Sequence, residues 1–168
     1  MTAYVTQDDR AAFEALFQRY ADRVLGTFRR AGLSEPHARD LLQTTFLHVH
    51  RARKDFRLDG RFRPWLFAIA MNVRREHFRR LSRKPEAQLD PELHREPAVG
   101  PDTSTAADRL VRRALLQLPD SQREVILLHW YEGLSFPEVA EIVGASHAAV
   151  KVRAHRGYEK LRSLLGEG

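Results

Sequence analysis

Apolar residues recur every three or four positions along most of the chain, and no stretch alternates convincingly. That period belongs to helices with one buried face, so an all-α fold is expected. In the N-terminal part the pattern predicts helices over about Gln7–Arg19, Ala21–Arg30, Pro36–Arg53 and Pro64–Arg80. Ser34 is placed to cap the third of these, with Pro36 in its first turn. In the C-terminal part it predicts helices over about Thr105–Gln117, Ser121–Glu132, Phe136–Val143 and His147–Leu165. Between the two parts lies "SRKPEAQLDPELHREPAVGPDTST", which holds four of the eight prolines and few large apolar residues. Such a composition describes a flexible linker. The expected layout is therefore two small helical domains, 1–81 and 106–168, joined by a linker at 82–105.

The C-terminal part carries a recognisable local design. "SFPE" is a capping box, in which Ser135 and Glu138 satisfy each other's backbone N–H groups. "VGAS" then supplies a turn, with Gly144 free to adopt positive φ and Ser146 ready to cap the next helix. This is the spacing of a helix-turn-helix. On the second helix Val150, Ala154, Gly157 and Leu161 share one face and should pack on Val139, Ile142 and the preceding helix. Ala148, Val152, His155 and Arg156 fall opposite, with Ala149 and Lys151 at the margins. Ser146 to Arg162 holds five Lys/Arg and one Glu. A helix packed on one side and basic on the other suits a DNA major groove and its phosphates. The competing reading is a solvated basic helix in a small bundle.

The N-terminal part offers two surfaces. On the helix "PHARDLLQTTFLHVHR", Ala38, Leu42, Thr45, Phe46 and Val49 form the buried stripe, leaving Asp40, Gln43 and Leu47 outward. An outward leucine beside an acid and an amide marks either a protein contact or a stray surface leucine. From Arg51 to Arg63 six basic residues interleave with Phe56 and Phe62, and Trp65 follows. Aromatics that stack bases among cations that hold phosphates suit single-stranded DNA. Core aromatics with a solvated arginine rim fit the same composition. The next helix turns Asn72, Arg75 and Arg79 outward, and Asn can read a base edge.

Bulk properties agree with a nucleic-acid partner without demanding one. Lys plus Arg number 28 against 22 Asp plus Glu, a net charge of +6. With no cysteine, disulfides and Cys-based zinc or redox sites are excluded. The N-terminus lacks the basic start and apolar run of a signal peptide, and no apolar stretch is long enough to span a bilayer. A soluble, cytoplasmic protein without membrane insertion is expected. His48 and His50 are two apart on a helix and cannot share a face, so they make a poor metal pair. No phosphate loop, Ser–His–Asp set or HExxH appears. No enzyme activity, cofactor or metal is expected.

Together these segments resemble the sigma-70 family of bacterial transcription initiation factors, in particular its extracytoplasmic function (ECF) group. "ARDLLQTTFLHVHR" is similar to the core-binding helix of region 2, and "FRPWLFAIAMNVRREHFRR" to its −10-recognition helix. "LPDSQREVILLHWYEGLSFPEVAEIVGASHAAVKVRAHRGYEKL" is similar to region 4. The resemblance implies that Asp40, Gln43 and Leu47 face the clamp helices of the RNA polymerase largest subunit, with the polymerase flap as a second contact. It implies that Phe56, Arg61, Phe62, Trp65, Asn72, Arg75 and Arg79 engage the single-stranded −10 element. Ser146, His147, Lys151, Val152, His155 and Arg156 would face the duplex −35 element. An anti-sigma factor is a further implied partner. Some positions depart from the family pattern: His50 replaces a common tryptophan, Thr44 a common acid, and Ala149 and Val152 the usual Thr and Ser. Val152 could then meet a thymine methyl. A stand-alone helix-turn-helix regulator with an N-terminal sensor domain is the alternative, although a sensor has no need of the basic aromatic loop.

Overall fold

In the computed structural model the described residues are Tyr4, 9–83 and 105–166, and they form seven α-helices and no strand. The linker expected at 82–105 lies outside the described residues from 84 to 104, as does Gln7.

Helix α1 spans Arg10–Arg30, and Asp9 caps it by accepting from the N–H groups of Ala11 and Ala12. The sequence pattern suggested two helices here. They are one, because Tyr20 and Ala21 contain nothing that breaks a helix, and Ala21, Val24, Thr27 and Phe28 continue one buried face across the expected gap. The helix ends in a Schellman motif. Leu33 N–H donates to Phe28 O and Gly32 N–H to Arg29 O, with Gly32 at φ +100°. Helix α2 spans Glu35–Arg51. Ser34 sits at its N-cap position but makes no side-chain cap; its hydroxyl is 3.0 Å from His37 Nδ1. The expected stripe Ala38, Leu42, Thr45, Phe46 and Val49 is buried, joined by Leu41. A 3-10 turn at Arg53–Asp55 and a loop lead to α3, Phe62–Ser82.

Helix α4 spans Ala106–Leu116 behind a Thr105–Asp108 capping box. Helix α5 spans Asp120–Ile126 and runs on into a π turn, Leu127–Tyr131. Helix α6 spans Phe136–Val143, with the expected Ser135–Glu138 box in place. Gly144 follows at φ +65° with open space around the position of a Cβ, so backbone conformation rather than crowding calls for glycine. Helix α7 spans His147–Gly166, and Ser146 Oγ accepts from Ala149 N–H at 3.1 Å. Its buried face is the expected one: Val150, Ala154 and Gly157. A Cβ on Gly157 would lie 3.1 Å from Ile126 Cγ1, so its absence lets α5 and α7 cross closely.

The two halves do not stand apart. Val24, Phe28, Phe46, Val49, Leu66 and Phe67 of the N-terminal half belong to one apolar cluster with Val125, Leu128, Leu134, Val139 and Val150 of the C-terminal half. A smaller cluster joins Ala31 to Leu115, Leu118, Ile126 and Leu127. Each half contains one tryptophan, Trp65 and Trp130. Single-tryptophan variants therefore report each half separately. Their unfolding transitions should coincide, and Leu128→Ala should lower both together by about 2–5 kcal/mol. Two separate transitions in urea would show that the shared cluster does not couple the halves.

His77 on α3 packs its ring 5.3 Å from that of His37. Burial, then the neighbouring His37 and Arg80, depress its pKa, against an opposing pull from Asp40. A base whose folded pKa lies below its unfolded value destabilises the fold as it protonates. Stability should therefore fall as pH drops below about 6.5. His77→Phe should flatten that dependence in urea titrations; an unchanged slope would assign it elsewhere.

Candidate nucleic-acid and polymerase surfaces

The fold sorts the candidate residues by what covers them. On α7, Val150, Ala154 and Gly157 face inward, and Ser146, His147, Lys151, Val152, His155 and Arg156 all lie exposed. Val152 is 47 % exposed, an apolar group held in solvent among cations. Neither Lys151 nor Arg156 enters an ion pair among the described residues. The helix thus presents an outward basic face that no acid among the described residues pairs with.

Asp40, Gln43 and Leu47 on α2 also lie exposed, on the face opposite Ala38, Leu42 and Val49. Leu47 is 47 % exposed. Nearby, His50 Nδ1 lies 2.5 Å from the Tyr4 hydroxyl, and the buried Tyr4 ring packs on Phe13.

The loop between α2 and α3 differs from the expectation in one respect. Phe56 is 6 % exposed, with its ring edge-on to Trp65 at 5.1 Å and to Phe62 at 6.3 Å. A ring so enclosed offers no face to a base, and Phe56 instead supports the half-buried Phe62 and Trp65. Tyr20 of α1 backs Phe62 at 5.2 Å. The apolar side chain exposed at the tip is Leu58, between Arg57 and Asp59, which pair with each other. The residues 57–60 close a turn through Gly60 N–H to Arg57 O. Leucine in a charged loop gave no signal that would have singled it out.

Asn72 on α3 is exposed, whereas Arg75 is half-buried and engaged. Arg75 donates to Asn72 Oδ1, to Glu124 Oε1 at 2.6 Å and to Ile142 O at 2.9 Å. Arg61 pairs with Glu138 at 2.7 Å. Arg74, in the same basic run, is buried and forks onto Asp120. Arg79 pairs locally with Glu76. On α1, Arg23 Nε donates to Glu132 Oε2 at 3.1 Å and Thr27 Oγ1 to Glu132 Oε1 at 2.8 Å. Arg63 donates to Glu132 O. Arg23, Thr27, Arg63, Arg74, Asp120, Glu124 and Glu132 carried no signal in the sequence, since their partners lie 46 to 109 residues away.

The π turn explains how Glu132 reaches the other half. Its N–H bonds to Leu127 O, and the extra residue in that turn leaves Trp130 outside, 61 % exposed. Trp130 stacks on Tyr158 of α7 with ring centres 5.6 Å apart. The two rings border an apolar groove of about 390 Å3, lined also by Val111, Leu115, Leu161 and Leu165. Among the described residues, no cluster of three or more His, Asp or Glu side chains could hold a metal, and no helix is long and apolar enough to cross a membrane.

Comparison with known proteins decides the family. The sequence signature of sigma-70 region 2 matches residues 16–84, and that of sigma-70 region 4 matches residues 108–161. The RNA polymerase sigma factor CarQ of Myxococcus xanthus is 45% identical over 161 residues, covering 93% of this chain and 90% of that protein. The ECF RNA polymerase sigma factor SigM of Mycobacterium tuberculosis is 32% identical over 94% of this chain and 79% of its own. The chain belongs to the ECF sigma factors of the sigma-70 family. Among solved structures, this sigma factor resembles CnrH in complex with the cytosolic domain of CnrY, with a TM-score of 0.72, 32% identity and coverage of 98% of this chain and 94% of that one. It also resembles RpoE of Bartonella quintana in complex with the anti-sigma factor NepR, with a TM-score of 0.80, 25% identity and coverage of 92% and 97%.

One titration follows from the sigma factor's contact between halves. Burial acts to raise the Asp120 pKa, but hydrogen bonds and charge from Arg74, with the charges of Arg123 and Arg75, outweigh it and hold the carboxyl below its ordinary range. A depressed folded pKa gives stability that is present above the unfolded value of about 4 and lost as pH falls through the folded value. Between about pH 5 and pH 3 the wild type should lose stability more steeply than Asp120→Asn, in urea midpoints. Parallel curves would assign the acid sensitivity to other carboxylates.

Proposed function

We propose that this ECF sigma factor directs core RNA polymerase to promoters by reading DNA at two points and opening it at one. The single observation that carries the reading is the α7 surface, where Lys151 and Arg156, unpaired among the described residues, flank exposed Val152 and His155 on a helix anchored by Val150, Ala154 and Gly157. Ser146, His147, Lys151, Val152, His155 and Arg156 meet the −35 element as duplex, with Val152 suited to a thymine methyl. Arg61, Phe62, Trp65, Asn72, Arg75 and Arg79 meet the single-stranded −10 element, with Phe56 beneath them as support. Taking a base out of the stack costs a few kcal/mol, and stacking it on an aromatic returns about 1–3 kcal/mol. With the two so close, promoter sequence decides whether melting proceeds.

Asp40, Gln43 and Leu47 dock on the clamp helices of the polymerase largest subunit. The groove beside Trp130 and Tyr158 accepts an apolar helix such as the flap provides. The functional division is 1–81 for polymerase binding and −10 reading, 82–105 as linker, and 106–168 for −35 reading. The work is cytoplasmic, where the polymerase and the genome are. An anti-sigma partner is supported by the two structural relatives, whose structures are complexes with CnrY and with NepR.

Transcription by core polymerase on a panel of promoter fragments tests this. Transcripts should require the chain. Arg156→Ala and Asn72→Ala should each lower them by roughly 5- to 150-fold, the equivalent of about 1–3 kcal/mol for a lost base contact. Tight duplex binding by the chain alone, with no binding to core polymerase, would instead make it a stand-alone regulator.

A further inference from the structure

A cavity of about 290 Å3 is walled by Arg74, Arg75 and Phe78 of α3 and by Asp120 and Arg123 of α5. Three of these side chains are guanidiniums and one is a carboxylate. Arg75 is matched by Glu124, which leaves Asp120 as the acid shared by Arg74 and Arg123. Arg74 donates to Asp120 from both terminal nitrogens, and its buried Nε has no acceptor among the described residues. Arg123 lies 3.6 Å from the same carboxylate and is otherwise held by carbonyls, those of Ala31, Leu115, Leu116 and Leu118. Carbonyls fix a guanidinium in place but leave its charge unmatched. Burial lowers the Arg123 pKa, Asp120 opposes that shift, and the charge of Arg74 adds to it. The cavity thus sets two rigid cations against one acid.

We propose that this cavity binds the phosphate groups of a small ligand, a nucleotide or a free polyphosphate, with Asp120 holding the place of one phosphate until the ligand arrives. A guanidinium takes carboxylate and phosphate oxygens through the same donor fork. The cations are fixed and the acid is not: the Arg74 side chain is 4% exposed and that of Asp120 60%. Asp120 can therefore turn out to solvent while the arginines stay. A phosphate dianion then matches Arg74 and Arg123 together, where one carboxylate has to serve both.

Phe78 adds a second recognition element. It is an exposed aromatic in the cavity wall, and the Arg74 guanidinium lies 5.0 Å from its ring centre. A base resting on that ring would sit next to a phosphate on Arg74, which is the spacing a nucleotide offers. Protein walls the cavity from two helices, an arrangement that suits a compact ligand rather than a continuous strand. The site is also separate from the DNA contacts proposed for the chain, in which Arg74, Phe78, Asp120 and Arg123 have no part.

Calorimetric titration of the full chain with pyrophosphate and with ADP, at fixed ionic strength, tests this. Both probes should bind and raise the thermal unfolding midpoint. Asp120→Asn, which removes the competing charge, should tighten both by about tenfold. Asp59→Asn makes the same charge change at an exposed loop outside the cavity and should leave both unaltered. Arg74→Lys keeps the charge but loses the fork, and should weaken both by about tenfold. Should that variant not fold, the comparison of Asp120→Asn with Asp59→Asn decides alone. Phe78→Ala distinguishes the two ligand sources: a loss confined to ADP marks a nucleotide, and equal affinity for ADP before and after marks a free polyphosphate. No binding of either probe would overturn the proposal. So would Asp120→Asn binding no tighter than Asp59→Asn, and so would binding of a single-stranded oligonucleotide with neither probe bound.

Discussion

Glu132 is a carboxylate of the C-terminal half buried against the N-terminal half, and a buried charge is tolerated only when it is paired. Its partners, Thr27 and Arg23, both lie on α1. The π turn that delivers it there is the same irregularity that leaves Trp130 on the outer surface, so one local distortion serves two faces of the protein. Around Glu132 the other cross-half pairs repeat its polarity, acids from one side meeting arginines from the other. The packing of the halves rests on this pairing together with the apolar cluster that they share.

What the sequence made legible was local. Periodicity at three and four residues gave the helices and their buried faces, and the buried stripes of α2 and α7 are those the pattern marks. The Ser135–Glu138 box and the Gly144 turn could be read because their chemistry is completed within a few residues. Ser34 shows the limit of such reading, since its hydroxyl finds His37 in place of the helix N–H groups. The expected break near Tyr20 rested on no Pro or Gly, and α1 runs through it.

What was not legible was non-local. Arg74 sits in a basic run that reads as solvated, yet it is buried against Asp120, 46 residues on. Phe56 is compatible with stacking and with packing until Trp65 and Phe62 are seen around it. The cross-half pairs are ordinary surface residues in sequence, and only the fold brings them together. The outward faces of α2 and α7 could be read because helical geometry alone sets them. The state of Arg61 and Arg75 could not, because it is set by the other half of the chain.

The faces assigned to polymerase and to the −35 duplex stand open, and of the residues assigned to the −10 strand Arg61, Asn72 and Arg79 are exposed while Arg75 is engaged by Glu124. The central claim is that this chain, carried by core polymerase, opens promoter DNA at the −10 element. Permanganate reactivity of thymines tests it most directly, because only unstacked thymines react. The account predicts reactive thymines about the −10 element with core polymerase and the chain together, and none with either alone. Full protection of the duplex by the chain alone, with no reactive thymine when core polymerase is added, would contradict it.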